Sequence, residues 1–266
     1  MSEADPPREI ADLTSLPRRV PWPVGFPPVV VHTGVALRDF HPSYAAAKSG
    51  DALAALTLVE DLLSGEATTS LRLLLSGRDA TLLPIAALET TGFNAIPDAM
   101  AQAIGAELGL PVSFGEIVQN NRVGHTRALA FNRLVTPAAF TGAVVPGQAY
   151  VLVDDHVGLG GTLANLRGHI ETSGGQVVAM TTLTESRDAR QIALRTETLT
   201  VLKERHGEDL EQFWQFQFGH GLDCLTDVEG QVVGREPSLD AIRTRLAQAA
   251  IEARRRGVEP AIDLGR

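Results

Sequence analysis

Thirteen residues, Tyr150 to Thr162, read YVLVDDHVGLGGT, and they constrain the fold more than any other part of the chain. Tyr150–Val153 is apolar, with β-branched and aromatic side chains that suit a buried strand. It ends on two adjacent acids, Asp154 and Asp155. Glycines at 158, 160 and 161 make a tight turn. Leu163–Ser173 then reads as a helix stopped by Gly174-Gly175, and QVVAMTTLT reads as a second strand. Strand, turn, helix and strand in this order form a βαβ unit, whose strands run parallel in one sheet. The fold class read from it is α/β: an open, mainly parallel sheet flanked by helices, with extra N-terminal and C-terminal segments.

Open sheets of this kind bind ligands beyond the C-terminal ends of their strands, where the acid pair and the glycine turn fall. Side chains alternate along a strand, so only one of Asp154 and Asp155 needs to face the cleft directly, unless the strand has already turned. The glycines let successive N–H groups converge on one point, and the start of the helix adds its positive dipole end. Thr162 offers a hydroxyl to the same anion. Carboxylates beside such a cradle suit a ligand with hydroxyls, or a bound Mg²⁺, next to a phosphate, and a sugar phosphate has that form. Two other glycine motifs fit poorly. Gly158-Leu159-Gly160 begins a dinucleotide fingerprint, but residue 163 is Leu and the acids precede the glycines. A P-loop needs Gly-Lys-Ser/Thr, and the turn holds no lysine.

YVLVDDHVGLGGT resembles the phosphoribosyl-pyrophosphate motif of the type I phosphoribosyltransferases: an apolar strand, two acids, two spacers and a Thr-Gly-x-Thr-like loop. The resemblance implies that Asp154 and Asp155 bind the ribose hydroxyls, directly or through Mg²⁺. It implies that Gly158, Leu159, Gly160, Gly161 and Thr162 hold the 5′-phosphate. The chain departs from the pattern at His156, where the family has an aliphatic residue, and at Gly158 and Leu159, which replace a small or hydroxylated pair. In the 6-oxopurine enzymes the position of Gly158 carries an Asp base, so that subclass is disfavoured. Upstream, LPIAALETTGFNAIPDAMAQAIGAELGLPV is similar to the family's pyrophosphate loop, with Glu89, Thr90, Thr91, Gly92 and Phe93 as the loop; taken alone it is a strand, a turn and a helix. Between the two motifs the family has a flexible hood, and this chain has an irregular stretch, 120–140, carrying Arg122, His125, Arg127 and Arg133. By the resemblance His125, Arg127 and Arg133 are catalytic, neutralising pyrophosphate as it leaves.

The activity implied is transfer of a phosphoribosyl group from Mg²⁺-bound phosphoribosyl pyrophosphate to an unidentified nitrogen acceptor, by a homodimer. The alternative on the same fold is a non-catalytic protein that senses phosphoribosyl pyrophosphate or a nucleotide.

The remainder of the chain divides by composition. Seven of the fifteen prolines fall between Pro6 and Pro28, so residues 1–40 read as an extended arm that Trp22 and Phe26 could anchor. Residues 41–205 read as the α/β domain. It opens with a helical hairpin, HPSYAAAKSGD followed by ALAALTLVEDLLSG, with Asp51 as the cap between them. TLLPIAA and Leu110–Phe114 read as strands, Pro97 to Leu108 as a helix stopped at Gly109, and LRLLLSG is left unassigned. Residues 206–266 read as a helical extension whose last helix runs Leu239–Arg256, capped by Ser238 and stopped by Gly257. A further helix is expected from about Asp188. The Pro-rich arm and the basic end of the last helix leave room for a partner-binding role.

With 23 Lys+Arg against 32 Asp+Glu the formal charge is −9, which argues against a general nucleic-acid binder. No apolar run approaches the roughly 20 residues that cross a bilayer. MSEADPPREI lacks the apolar core of a secretory leader. Cys224 is the single cysteine and reads as a small buried residue. A cytoplasmic location is expected, without contact with membrane. The histidines lack H-x-x-x-H spacing, so no zinc site is expected.

Overall fold

The computed structural model of the chain describes residues 16–89, 92–121 and 130–262. Its centre is a sheet of four parallel strands: β1 (Val30–Val31), β2 (Thr81–Pro84), β7 (Ala149–Val157) and β8 (Gln176–Glu185), in the order β1-β8-β7-β2. Two antiparallel ribbons lie beside it, β3 (Leu88–Glu89) with β4 (Gly92–Phe93) and β5 (Ile117–Gln119) with β6 (Phe140–Gly142). Helices cover both faces, so the α/β class read from the βαβ unit is the class observed.

The two faces follow from alternation along β7. Ala149, Val151 and Val153 pack into a core with Leu58 and Val59 of α3 (Ala52–Leu62), Leu71 of α4 (Gly65–Leu75) and Met100 and Ile104 of α5 (Ile96–Leu108). Tyr150 and Leu152 pack on the other face, against Leu163, Leu166 and Ile170 of α7 (Gly161–Thr172). Local signals set the helix ends. Asp51 accepts the amides of Leu53 and Ala54, Ser64 accepts that of Ala67, and Gly109 stops α5 with φ +70°. LRLLLSG closes α4, and Pro84 marks the end of β2.

Several expectations need correction. Residues 30–39 do not belong to the arm: Val30 and Val31 pair with Thr181 and Thr182, and Val35–Asp39 form α1. The strand expected over Leu110–Phe114 reduces to one parallel bridge between Val112 and Leu82, because Pro111 has no N–H and serves only as acceptor for Leu82 N. The stretch 120–140 is not wholly irregular: α6 (Ala130–Val135) follows the part that lies outside the described residues, 122–129. The helix expected from Asp188 begins at Thr196, since Asp188 itself sits at φ +59°. That helix, α8 (Thr196–Phe218), crosses the boundary expected at 205 and kinks at Gly207.

The arm lies on α7. Trp22 Nε1 donates to Leu225 O at 2.7 Å, and the Arg167 guanidinium stacks 4.5 Å from the Trp22 ring while donating to the carbonyls of Val20 and Pro21. Gly168 admits the arm backbone, for a Cβ there would lie 1.7 Å from Arg18 O.

A third core gathers around Trp214 of α8. It includes Leu16, Leu134 and Val135 of α6, Val233 of α9 (Asp227–Gly234) and Leu246 of α10 (Leu239–Arg255). Cys224 is buried, which pushes its thiol up to about 12. Among the described residues no helix is long and apolar enough to cross a membrane.

Candidate functional site

A cavity of about 870 Å³ opens at the C-terminal end of β7. Asp154, Asp155 and His156 line it, as does every residue from Val157 to Leu163. Arg133 of α6, Arg19 of the arm, Glu229 of α9 and the segment Arg256–Glu259 after α10 complete the wall.

The strand has not turned when it reaches the acids, because β7 stays paired with β8 as far as Val157. The two carboxyls therefore have different surroundings. Asp155 shares the register of Val151 and Val153, and its Oδ2 lies 2.8 Å from Nζ of Lys48 on α2 (Tyr44–Lys48). Burial alone would push its carboxyl up, but the Lys48 ammonium and hydrogen bond, with Arg38 and His156 nearby, hold it below the usual carboxylate range. Asp154 accepts the amide of Asp155 at 2.8 Å. Burial, and then the charge on Asp155, push the Asp154 carboxyl well above its usual range, so Asp154 gives up its proton less readily than Asp155.

The glycine turn keeps its amides for something else. Gly160 has φ +83° and caps α7 without a side chain. The first amide to close a helical bond is that of Ala164, onto Gly160 O, and no described residue accepts from the amides of Gly161, Thr162 or Leu163. The residues that carry these N–H groups line the cavity and form the first turn of a twelve-residue helix, the positive end of its dipole. Thr226 Oγ1 donates to Leu159 O and fixes the turn from α9's side.

His156 is held rather than free. Its Nδ1 is 2.9 Å from Thr184 Oγ1 and its Nε2 is 3.1 Å from Ser186 Oγ. Thr184 Oγ1 also lies 3.2 Å from Asp155 O, so the hydroxyl ties the ring to the β7 backbone. Burial and the nearby Arg38 keep the ring neutral by lowering its pKa. Burial likewise lowers that of Arg133, whose Nη1 lies 2.6 Å from where a Cβ on Gly158 would be. A side chain at 158 would displace that guanidinium.

Of the residues singled out from sequence, Arg133, Asp154, Asp155, Gly158, Leu159, Gly160, Gly161 and Thr162 line this one cavity. Gly92 and Phe93 form β4 of a tight hairpin and do not line it, though Ala87 and Asn94 on either side do. Gly92 instead abuts the end of α2, where a Cβ would lie 2.8 Å from Ser49 O. Glu89 is described as backbone of β3 only, and Thr90, Thr91, Arg122, His125 and Arg127 lie outside the described residues. Among the described residues no group of three His, Cys, Asp or Glu side chains could hold a metal ion by itself.

Sequence reasoning missed Lys48, Arg19 and Glu229. Lys48 had one usable signal: it is one of two lysines among 23 basic residues. Arg19 and Glu229 carried none, because they stand 210 positions apart.

No family model matches the chain. It is 41% identical over 235 residues to Protein TraN of Escherichia coli, an alignment covering 88% of this chain and 52% of TraN. It is 35% identical over 152 residues to an uncharacterized protein of Haemophilus influenzae, covering 57% of this chain and 34% of that one. The chain thus spans about half or less of the curated relatives it matches. Solved structures similar to it include an adenine phosphoribosyltransferase (TM-score 0.32, 12% identity, 50% of this chain and 70% of that one). Another is the adenine phosphoribosyltransferase of Thermoanaerobacter pseudethanolicus (TM-score 0.30, 19% identity, 49% and 85%). A third is the UMP synthase of Leishmania donovani (TM-score 0.28, 15% identity, 70% and 36%).

Proposed function

We propose that the chain binds Mg²⁺-phosphoribosyl pyrophosphate and transfers its phosphoribosyl group to a nitrogen acceptor, releasing pyrophosphate. One observation carries the reading. An uncapped helix start on a left-handed glycine stands beside an acid pair whose two carboxyls differ in proton affinity, and both open into one cavity. The 5′-phosphate sits on the turn 158–162. The ribose hydroxyls meet Asp154 and Asp155, whose carboxyl oxygens accept from them. Arg133, whose guanidinium reaches the turn at Gly158, offers charge to the departing pyrophosphate. Asp155 is paired with Lys48, so Asp154 is the acid that would hold a Mg²⁺ arriving on the substrate's phosphates, and the ion would supply positive charge to the departing pyrophosphate.

Calorimetric titration with Mg²⁺-phosphoribosyl pyrophosphate tests the reading, followed by an acceptor screen that reads pyrophosphate. Micromolar binding is expected, and it should vanish in the folded double variant Asp154→Asn, Asp155→Asn. Unaltered affinity in that variant contradicts the assignment.

The sensing alternative has its own support. Gly158 supplies no base, and His156, the histidine of the cavity wall among the described residues, is held neutral with both ring nitrogens engaged. Tight binding without pyrophosphate release for any acceptor would favour it.

A further inference from the structure

The arm and the C-terminal helices meet at the start of α7 in one buried ion pair. Arg19 Nη1 lies 2.6 Å from Glu229 Oε2, and Nη2 lies 2.9 Å from Oε1. Their side chains are 7% and 3% exposed. Arg19 Nε donates to Asn165 Oδ1 at 2.6 Å, and Asn165 is itself fixed by a bond to Ala138 O. Glu229 is fixed too, since it accepts the amide of Thr226 as half of the capping box of α9. The guanidinium is thus oriented by two partners, each fixed in turn.

Its position is informative. Arg19 Nη2 stands 3.2 Å, and Glu229 Oε1 2.7 Å, from where a Cβ on Gly161 would project. Glycine at 161 is what lets the pair approach the turn. A guanidinium has five N–H donors, and three are spent, one on Asn165 and two on Glu229. One N–H on each terminal nitrogen has no described acceptor, on a side chain that lines the cavity beside the unbonded amides of 161–163. A fork pinned by a carboxylate, with donors in reserve next to open amides, suits a phosphate monoester, whose terminal oxygens accept from several donors at once.

We propose that Arg19, carried in by the N-terminal arm, completes the phosphate cradle of α7, and that Glu229 tethers it there while offsetting its charge, so that Gln at 229 keeps an acceptor for the tether and loses only the charge. This rests on the anion-binding reading of the turn. Arg19 keeps its fork on Glu229 and donates a remaining N–H to the phosphate, so the arm and α9 become parts of one ligand site. Two opposing consequences separate this role from a merely structural tether. Loss of Arg19 weakens phosphate binding. Loss of the Glu229 charge removes a repelling carboxylate from the cradle, so it strengthens phosphate binding even while it loosens the fold.

The test is calorimetric titration of the full chain with inorganic phosphate and with Mg²⁺-phosphoribosyl pyrophosphate, for the wild type, Arg19→Gln and Glu229→Gln, with each melting temperature recorded. Arg19→Gln should weaken both ligands at least about tenfold, the effect of one lost charge-assisted hydrogen bond. Glu229→Gln should tighten inorganic phosphate while lowering the melting temperature, a combination that partial unfolding cannot produce. Wild-type affinity in Arg19→Gln, or weaker phosphate binding in Glu229→Gln, overturns the proposal and leaves the site reading standing. Failure of the wild type to bind either ligand overturns the site reading and the proposal with it.

Discussion

Lys48 Nζ and Asp155 Oδ2 lie 2.8 Å apart, and this contact joins the helical hairpin to the strand that bears the acid pair. Replacing Lys48 by Met leaves a carboxylate unpaired beside the cavity. The expected loss is about 1–3 kcal/mol, less than for a fully enclosed pair because Lys48 keeps some solvent. Urea unfolding measures it, and Lys48→Arg should recover most of the loss. A Met variant as stable as the wild type would mean that the contact contributes nothing.

The two acids should respond oppositely to neutralisation. Asp155 has a lowered pKa when folded, so its contribution is present above its unfolded value and fades as the pH falls through the folded one. Asp154 has a raised pKa, so its ionisation weakens the fold as the pH climbs toward the folded value. At neutral pH Asp154→Asn is therefore expected to hold or gain stability, and Asp155→Asn to lose it. Equal losses in denaturant titrations of the two variants would refute the asymmetry.

Two buried histidines set a second pH dependence. Burial holds His32 and His220 down to about 4. His32 Nδ1 accepts the amide of Ser64, the N-cap of α4, so protonating that nitrogen breaks a bond the helix start depends on. A histidine with a lowered folded pKa stabilises the fold above its unfolded value, near 6.5, and that stability drains away as the pH falls toward 4. Each should contribute about 3 kcal/mol, from 1.36 kcal/mol per unit of pKa difference. Unfolding free energies at pH 7 and pH 4.5 check this, and His32→Gln should flatten the slope.

Gly168→Ala should release the arm without breaking α7. Alanine is the better helix former by about 1 kcal/mol, yet its Cβ would meet Arg18 O at 1.7 Å. Limited trypsin digestion is the assay: cleavage after Arg18 and Arg19 should accelerate while the helical circular dichroism holds. An unchanged digestion rate would show that the arm adapts.

Gly160→Val should damage the turn in two ways. Residue 160 has φ +83°, and a Cβ there would come within 3.1 Å of Thr226 Cγ2 and 3.2 Å of Ile192 Cγ1. Strain and crowding together cost about 2–4 kcal/mol, and phosphate-dependent binding should disappear. Binding that survives this substitution would place the anion elsewhere.

The local elements were legible because their causes are local. The apolar run before Asp154, the glycines after it, Asp51 and Ser238 as caps and Gly109 as a stop each act within about a turn of chain, and the structure has them so. The reading failed where tertiary pairing outweighs local pattern. Val30–Val31 is too short to announce a strand, yet the exposed edge of β8 takes it up. Leu110–Phe114 looks like a strand, yet Pro111 leaves it a single bridge.

The sequence by itself determined the βαβ unit and the meeting of an acid pair with a glycine turn at a helix start, since thirteen consecutive residues encode both. Only the tertiary structure decided how that site is charged. Lys48 reaches Asp155 across 107 positions and Arg19 reaches Glu229 across 210. Such pairs form when packed elements bring distant side chains together out of water, where an opposite charge within hydrogen-bonding distance offsets the loss of solvation, and no spacing along the chain records that distance.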